Sequence, residues 1–309
     1  GAEILILDEP TGVLTPAEAD HLFRILRQLK EQGKTIVLIT HKLREIMAIT
    51  DTVSVMRQGT MVATRETTKT TVGELAELMV GRRVLLRVEK GEAEAGGVKL
   101  AVKNLTVKDS RGVTMVDGKP IDLTGAADPG ELRDRGLAHV PEDRHHVGLV
   151  LAFEENENSI LGYHDDPRYL KGPFLDIDAI RDDAREKIAK YDIRPADCRL
   201  KTANFSGGNQ QKIVLAREME QDPGVLIVGQ PTRGVDVGAI EFIHKRLIAM
   251  RDQGKAVLVV SVELDEIRSL SDRILVMFAG RIVGERGPEA SEGELGLLMA
   301  GVEHREAAE

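Results

Sequence analysis

An internal repeat constrains the fold of this chain more than any other feature of its sequence. When the sequence is shifted by 221 positions against itself, residues 5–59 align with residues 226–280 without a gap. After one residue of slippage, "GELAELMVG" (73–81) also matches "GELGLLMAG" (293–301). A gapless match of this length indicates two homologous units.

The two copies differ in length. The second copy begins near Lys99, where "KLAVKNLTV" alternates like a strand, and the matching stretch of the first copy would lie before residue 1. Residues 1–86 are therefore predicted to be only the C-terminal part of a first unit, residues 99–302 a second unit, and 303–309 a tail. Residues 87–98 are charged and Gly-rich, which indicates a linker.

Short apolar runs alternate with helical patterns in both copies. The runs at 4–7, 36–39, 225–228 and 256–260 have the length of strands and fall far short of a membrane span. Strand–helix alternation predicts an α/β fold with a mostly parallel sheet covered by helices.

The connecting helices carry start and stop signals. In the first copy Thr15 is a predicted N-cap, Pro16 and Glu18 suit the first turn, and Gly33 suits the C-terminal end. The predicted buried stripes are Leu22, Ile25, Leu26 and Leu29 in this helix, and Ile240, Ile243, Leu247 and Met250 in its counterpart at 236–253.

Composition restricts the class of partner and the compartment. With 51 acidic and 42 basic residues among 309, the net charge is −9, so no chain-wide basic surface attracts nucleic acid or an anionic membrane. The single cysteine, Cys198, excludes an intrachain disulfide and favours a reducing compartment, where it is expected to be an unreactive thiol. No signal peptide opens the sequence.

Acidic residues and a histidine follow two strands of the first copy. Asp8 and Glu9 end the first apolar strand, and His41 follows the strand "TIVLIT". Parallel strands bind ligands at their carboxyl edge, where Asp8 could hold Mg²⁺ through water, Glu9 could deprotonate a water, and His41 could bond a phosphate. The alternative is ordinary polar loop residues, which are common after strands.

A further motif precedes the second strand-end sequence. In "NFSGGNQQKIVLARE" (204–218), Ser206, Gly207 and Gly208 form a turn that can approach an anion closely, and a helix is predicted to start near Asn209. The tripeptide alone would be an ordinary helix entry, but Gln210, Gln211 and Lys212 follow it.

These motifs together resemble the ATPases of ATP-binding-cassette (ABC) transporters. The motifs are "SGGNQQK", the strand-end sequences "DEPT" and "GQPTRGVD", and the histidine. Their tandem arrangement is similar to that of the double-cassette subunits of importers for simple sugars and nucleosides, and the resemblance covers residues 2–302. The resemblance implies a P-loop NTPase-like cassette with a helical subdomain at about 149–220. It also implies ATP and Mg²⁺ as cofactors and head-to-tail cassette pairing.

The resemblance assigns roles by position. Asp8 becomes the Walker B aspartate, Glu9 the catalytic glutamate and His41 the switch histidine of the first cassette. The signature of the second cassette consists of Ser206, Gly207, Gly208, Asn209 and Gln210. It faces the three residues of the first cassette in one composite site. In the other composite site Gly229, Gln230 and Val262 replace the aspartate, glutamate and histidine, and Glu142 stands in place of the Q-loop glutamine. Since glutamine accepts no proton, this second site is predicted to be degenerate.

No P-loop is present in the sequence. Gly-x₄-Gly-Lys-Ser/Thr would wrap the phosphates, but "QGKT" (32–35) has Gln28 in place of the first glycine. In the second copy "VTMVD" (113–117) runs directly into "GKPIDL" (118–123), where the family has a strand, a P-loop and a helix. A segment is therefore predicted to be missing at Asp117-Gly118, and the chain as written is expected to be inactive.

Three functional interpretations compete. The first is the ATPase subunit of an importer, peripheral on the cytoplasmic face of the membrane, with permease subunits and indirectly a substrate-binding protein as partners. The second is a nucleotide-incompetent docking or regulatory module, favoured by the missing P-loops. A cassette acting on nucleic acid or ribosomes is disfavoured by the acidic balance. The sequence does not identify the cargo. The adjacent histidines His145 and His146 are expected to be a solvent-exposed pair rather than a metal site.

Overall fold

The chain forms two units in a computed structural model that describes residues 2–11, 14, 16–57, 59–85, 88–92, 106–109, 112–115 and 129–301. Unit 1 comprises Gly1–Glu89 and Gly234–Phe242, and unit 2 comprises Lys90–Arg233 and Ile243–Glu309. Thr15, most of the predicted linker, the start of the second copy near Lys99, the junction at Asp117-Gly118 and the tail lie outside the described residues.

Unit 1 pairs a parallel two-stranded sheet with an antiparallel hairpin. Its elements are β1 (Ile4–Asp8), α1 (Pro16–Glu31), β2 (Thr35–Ile39), α2 (Leu43–Ile49), β3 (Thr52–Arg57), β4 (Thr60–Glu66) and α3 (Val72–Val80). β1 runs parallel to β2 with Ile4 opposite Thr35, while β3 and β4 form the hairpin. A core of Ile46, Val53, Val55 and Leu75 joins α2, the hairpin and α3.

Unit 2 contains a three-stranded parallel sheet with the order β11-β10-β7. Its described elements are β5 (Thr106–Asp109), β6 (Gly112–Met115), α4 (Pro129–Asp134), β7 (Leu137–Val140), α5 (Glu155–Asn158), β8 (Leu170–Lys171), β9 (Phe174–Leu175), α6 (Ile177–Tyr191), α7 (Gly207–Met219), β10 (Val225–Gly229), α8 (Val237–Asp252, which begins in unit 1), β11 (Ala256–Val260), α9 (Leu264–Leu270), β12 (Ile274–Phe278), β13 (Arg281–Arg286) and α10 (Glu292–Met299). Every described helix is too short or too polar to cross a membrane.

The repeat in the sequence is also a repeat in structural detail. Both hairpins, β3–β4 and β12–β13, change register at the equivalent steps, Val55/Met56 and Val276/Met277. The last helix of each copy starts with a hydroxyl cap: Thr71 accepts from the amide of Glu74, and Ser291 accepts from the amide of Glu294. The same local sequence therefore produces the same local structure twice.

The central strands of the two copies differ in burial. In unit 2, β10 lies between two strands, and Leu226 and Val228 are 0% exposed. In unit 1, the described residues pair β1 with β2 alone, and the equivalent residues, Leu5 and Leu7, are only partly buried. The same two apolar positions are therefore fully buried in one copy and partly exposed in the other.

One predicted core position of α1 is wrong. Leu26 is buried, but Ile25 is 41% exposed and lines an open groove with Leu14 and Leu22, while Phe23 is buried in its place. At the equivalent of Ile25 in unit 2, the guanidinium of Arg246 lies 4.6 Å from the ring centre of Tyr191 on α6. Among the described residues unit 1 has no helix equivalent to α6, so this face of α1 is uncovered.

The region predicted as a helical subdomain consists of α5, α6 and α7 with the short β8–β9 hairpin. From Gln210 to Met219, α7 is buried on all sides. It begins at Gly207, two residues earlier than predicted, because Ser206 already has the extended N-cap backbone. Beside it, the buried Glu155 accepts a hydrogen bond of 2.6 Å from the Ser159 hydroxyl, and the buried Lys187 ammonium pairs with Asp183 at 2.6 Å.

Replacing a leucine by alanine should cost more stability on the buried strand β10 than at an exposed position of the adjacent strand β11. We expect Leu226→Ala to lower the free energy of unfolding by about 2–5 kcal/mol, since it opens a cavity in the centre of the sheet. Leu258→Ala, on the adjacent β11 where Leu258 is 47% exposed, should cost less than about 1 kcal/mol. Urea unfolding followed by tyrosine fluorescence measures both, because all three tyrosines lie in unit 2. Equal losses would contradict the burial pattern.

Stability should also depend on the protonation of Glu155. Burial raises the pKa of this carboxyl from 4.5 to about 7, against the opposing effects of the Ser159 hydroxyl and Lys187. The folded chain therefore holds this proton more tightly, and the stability it contributes is lost as pH rises from 4.5 through 7. Glu155→Gln should gain stability over the wild type by up to about 3 kcal/mol between pH 5 and 8. The exposed Glu186→Gln is the control, and a difference that does not change with pH would refute the prediction.

Candidate functional site

The carboxyl ends of β1 and β2 bring Glu9 and His41 together. Glu9 follows β1 with a left-handed backbone (φ 42°), and its amide donates to the carbonyl of Ile39 at 2.9 Å. Its carboxylate lies 2.8 Å from Nδ1 of His41. Since a carboxylate only accepts, His41 donates from Nδ1, and its Nε2 is left for another partner.

Two more polar groups belong to this strand end. The carboxylate of Asp8 is exposed and has no hydrogen bond or ion pair with the described residues. The buried Thr11 hydroxyl donates to the buried Glu45 carboxylate on α2. This bond ties the turn after β1 to α2, while Asp8 and Glu9 remain open to solvent.

The second copy repeats this backbone with other side chains. Gln230 is also left-handed (φ 46°), and its amide donates to the carbonyl of Val260 at 2.7 Å. Its side-chain oxygen lies 3.4 Å from the amide nitrogen of Val262. The contact that joins a carboxylate to an imidazole in unit 1 thus joins an amide oxygen to the backbone in unit 2.

Glu142 occupies the space beside Gly229. A Cβ added to Gly229 would lie 3.0 Å from the amide nitrogen of Glu142 and 3.3 Å from its Cβ. The Glu142 carboxylate pairs with the Arg233 guanidinium at 2.7 Å, and Arg144 donates to the Arg233 carbonyl at 2.9 Å. Burial, followed by repulsion from Arg233, lowers the pKa of Arg144. The loop after β7 is therefore held against the turn after β10.

The glycine turn of unit 2 forms the first turn of α7. The Asn209 side chain donates to the Ser206 hydroxyl at 2.9 Å, and its oxygen accepts from the amide of Arg194 at 2.8 Å. Gln210 is buried and donates to the carbonyl of Thr202 at 3.0 Å. The free amides at the start of a 13-residue helix can bind an anion, as the sequence predicts.

The predicted residues fall into three groups. Asp8, Glu9 and His41 lie in unit 1, while Ser206 to Gln210 form a second group and Glu142, Gly229, Gln230 and Val262 a third, both in unit 2. Arg233 and Arg144 are additional residues that the sequence reasoning did not identify. Arg233 could have been found from the repeat, because Gly12 stands at its position in the first copy.

The two adjacent histidines lie against different polar partners. His145 lies 2.8 Å from Gln210, and His146 lies 2.7 Å from Asp143. Hydrogen bonds from His146, first from its side chain, lower the pKa of Asp143. In the part of the chain that the structure describes, no group of three His, Cys, Asp or Glu residues could hold a metal ion.

Several curated proteins are similar to this chain over almost its full length. The nucleoside import ATP-binding protein NupA of Lactococcus lactis is 44% identical over 342 residues, covering 97% of this chain and 68% of the relative. The guanosine import ATP-binding protein NupO of Bacillus subtilis is 43% identical, covering 99% and 68%. The glucose import ATP-binding protein TsgD13 of Haloferax volcanii is 38% identical, covering 97% and 62%.

The chain belongs to the ATP-binding proteins of ABC importers for sugars and nucleosides. No protein-family model matches it. Among solved structures, the archaeal ribosome recycling factor aABCE1, in complex with the ribosomal stalk protein aP1, is 15% identical and covers 98% of this chain and 63% of its own, with a TM-score of 0.57. That likeness concerns the fold alone, and the predicted ABC cassette fold is confirmed.

The sequence matches only part of the length of its relatives, and the relatives contain additional residues within the matched region. It spans 60–68% of the length of the curated relatives. The match to NupA extends over 342 positions, more than the 309 residues of the chain, so NupA carries additional residues inside the aligned region.

A side chain at position 229 should disturb the contact with Glu142. We expect Gly229→Ala to destabilise unit 2 by about 1–3 kcal/mol, because the new Cβ meets backbone that cannot rotate away. Gly296→Ala on α10 is the matched control: a Cβ there meets nothing within 4 Å, and alanine should stabilise the helix by about 0.5–1 kcal/mol. Urea unfolding of unit 2 by tyrosine fluorescence tests the difference, and a stabilising Gly229→Ala would contradict the packing.

Proposed function

We propose that this chain is part of the ATP-hydrolysing subunit that powers an ABC importer of simple sugars or nucleosides, and that this subunit has one catalytic and one degenerate composite site. The observation that carries the proposal is the contrast between two equivalent strand ends. Glu9 and His41 are in contact at one of them, whereas Gln230 and the Val262 backbone stand at the other.

Glu9 is the proposed general base. One of its oxygens accepts from Nδ1 of His41, so the other is available for the proton of an attacking water. The donated hydrogen bond holds the carboxylate in place, and in the imidazolium form of His41 the second N–H, at Nε2, can donate to a phosphate oxygen. Gln230 has the same backbone, but an amide does not take up a proton in the accessible pH range.

Asp8 is the proposed Mg²⁺ ligand, acting through water. Its exposed carboxylate at the end of a parallel strand, unpaired among the described residues, has the donor chemistry that Mg²⁺ prefers. The cation would neutralise phosphate charge when bound.

The second half of the catalytic site is assigned to the first turn of α7. Its free amides suit the terminal phosphate of ATP, and head-to-tail pairing would bring Ser206 to Gln210 to the nucleotide of the first cassette. The partners we propose are membrane permease subunits and, through them, a substrate-binding protein, on the cytoplasmic face of the membrane. The roles of NupA, NupO and TsgD13 in nucleoside, guanosine and glucose import support a nucleoside or sugar as cargo.

A nucleotide-incompetent docking or regulatory module is the second candidate. It is favoured by one observation, the absence of Gly-x₄-Gly-Lys-Ser/Thr from the sequence. The additional residues that NupA carries within the aligned region are consistent with a missing segment at Asp117-Gly118. Binding of ATP to the purified chain, measured by calorimetry, separates the two candidates: the module would bind none.

Replacing the base should abolish hydrolysis. In the importer complex with the missing segments of the subunit restored, we expect Glu9→Gln to lower ATP turnover by about 10²-fold or more, because an amide replaces the proton acceptor while the shape is kept. Glu3→Gln is the control, since Glu3 is an exposed carboxylate next to the opposite end of β1 and should leave turnover unchanged. Near-normal turnover in Glu9→Gln would overturn the assignment.

A further inference from the structure

The loop that follows β7 makes two sets of contacts within unit 2. It contains Glu142 and Asp143 and then a helical turn, Arg144–Gly148. The Asp143 carboxylate caps this turn by accepting from the amides of His145 and His146, both at 3.1 Å. The loop therefore has a defined shape of its own, from which neighbouring side chains extend in different directions.

The first set of contacts reaches the strand-end turn of the degenerate site. Glu142 pairs with Arg233, Arg144 donates to the carbonyl of Arg233, and the backbone of Glu142 packs on Gly229. Arg233 is thus held twice, through its guanidinium by Glu142 and through its carbonyl by Arg144, and the loop is fixed against the turn.

The second contact reaches the first turn of α7. Nε2 of His145 lies 2.8 Å from Oε1 of Gln210. The amide nitrogen of Gln210 donates to the carbonyl of Thr202, which fixes the orientation of the amide and leaves its oxygen as an acceptor. His145 therefore donates from Nε2, in either protonation state, to a side chain that is 5% exposed.

We propose that His145 is a positioning residue for the turn Ser206–Gln210, and that the loop after β7 fixes this turn relative to the degenerate strand end. The inference rests on the proposed function only in assigning that turn to the catalytic site. The degenerate site then has a structural role, because its turn at Gly229 to Arg233 anchors the loop that holds Gln210.

Gln210 is well placed to transmit this constraint. Its backbone amide donates to the Ser206 carbonyl at 2.9 Å, closing the first turn of α7. Its side chain is held from two directions, by His145 and by Thr202. Losing the His145 donor leaves a buried acceptor unpaired, which loosens the turn whose free amides face the proposed phosphate.

Hydrogen exchange in the purified chain tests the contact without ATP. We expect His145→Ala to speed exchange in peptides covering residues 206–212 by about tenfold, the effect of one lost hydrogen bond to a buried group. His145→Gln, which retains an N–H donor near the Nε2 position, should restore the wild-type rate. His146→Ala is the matched control, because that neighbouring histidine is exposed and, among the described residues, its side chain bonds only Asp143.

Three results would overturn the proposal: unchanged exchange in His145→Ala, equal acceleration in His146→Ala, or no rescue by His145→Gln. His145 is exposed, and a tyrosine-fluorescence melt confirms that each variant folds. ATP turnover of the importer complex with the missing segments restored is the second readout, in which kcat should fall about tenfold in His145→Ala and recover in His145→Gln. A wild type without turnover would count against the proposed function, whereas the exchange result would still decide the role of His145.

Discussion

The hydrogen bond between the residue after the central strand and the end of its neighbour sets the geometry of both strand ends. The amide of Glu9 donates to Ile39, and the amide of Gln230 donates to Val260. Each donor residue has a positive φ, a conformation that costs a non-glycine residue about 1–3 kcal/mol. This backbone turns the side chain towards the loop after the neighbouring strand, so residue 9 meets residue 41 and residue 230 meets residue 262.

Both strand ends therefore share one backbone arrangement, here called the frame, and the chemistry of each end depends on the side chains that this frame carries. In unit 1 the frame joins a carboxylate to an imidazole, a pair that can accept and orient protons. In unit 2 it joins an amide to a backbone N–H, which exchanges no protons. The loss of a Cβ at Gly229 is part of the same change, because it lets the backbone of Glu142 approach the strand end to a distance that an aspartate would prevent.

The sequence predicted those features that depend on neighbouring residues. The four apolar strands, the helix ends at Gly33 and Gly254 with their positive φ, and the meeting of residues 9 and 41 all follow from local pattern and from parallel pairing. The exposure of Ile25 was not predictable in this way, because it depends on whether a helix like α6 covers α1. Similarly, the contact between His145 and Gln210 joins positions 65 apart and leaves no periodic signal in the sequence.

If the strand end at Gln230 is degenerate, as we propose, the contacts around it explain how such an end persists in a stable fold. A hydrolytic site needs an exposed base and room for water, and the open carboxylates of Asp8 and Glu9 meet that need at the expense of local packing. Once position 230 cannot act as a base, nothing requires the space around it to stay open. The close contact at Gly229, the Glu142–Arg233 pair and the Arg144 bond fill that space with interactions that each contribute only modestly. Together they connect the end of β10 through His145 to α7, the most completely buried helix of unit 2. On the proposed assignment, loss of catalysis and gain of rigidity are two consequences of the same substitutions.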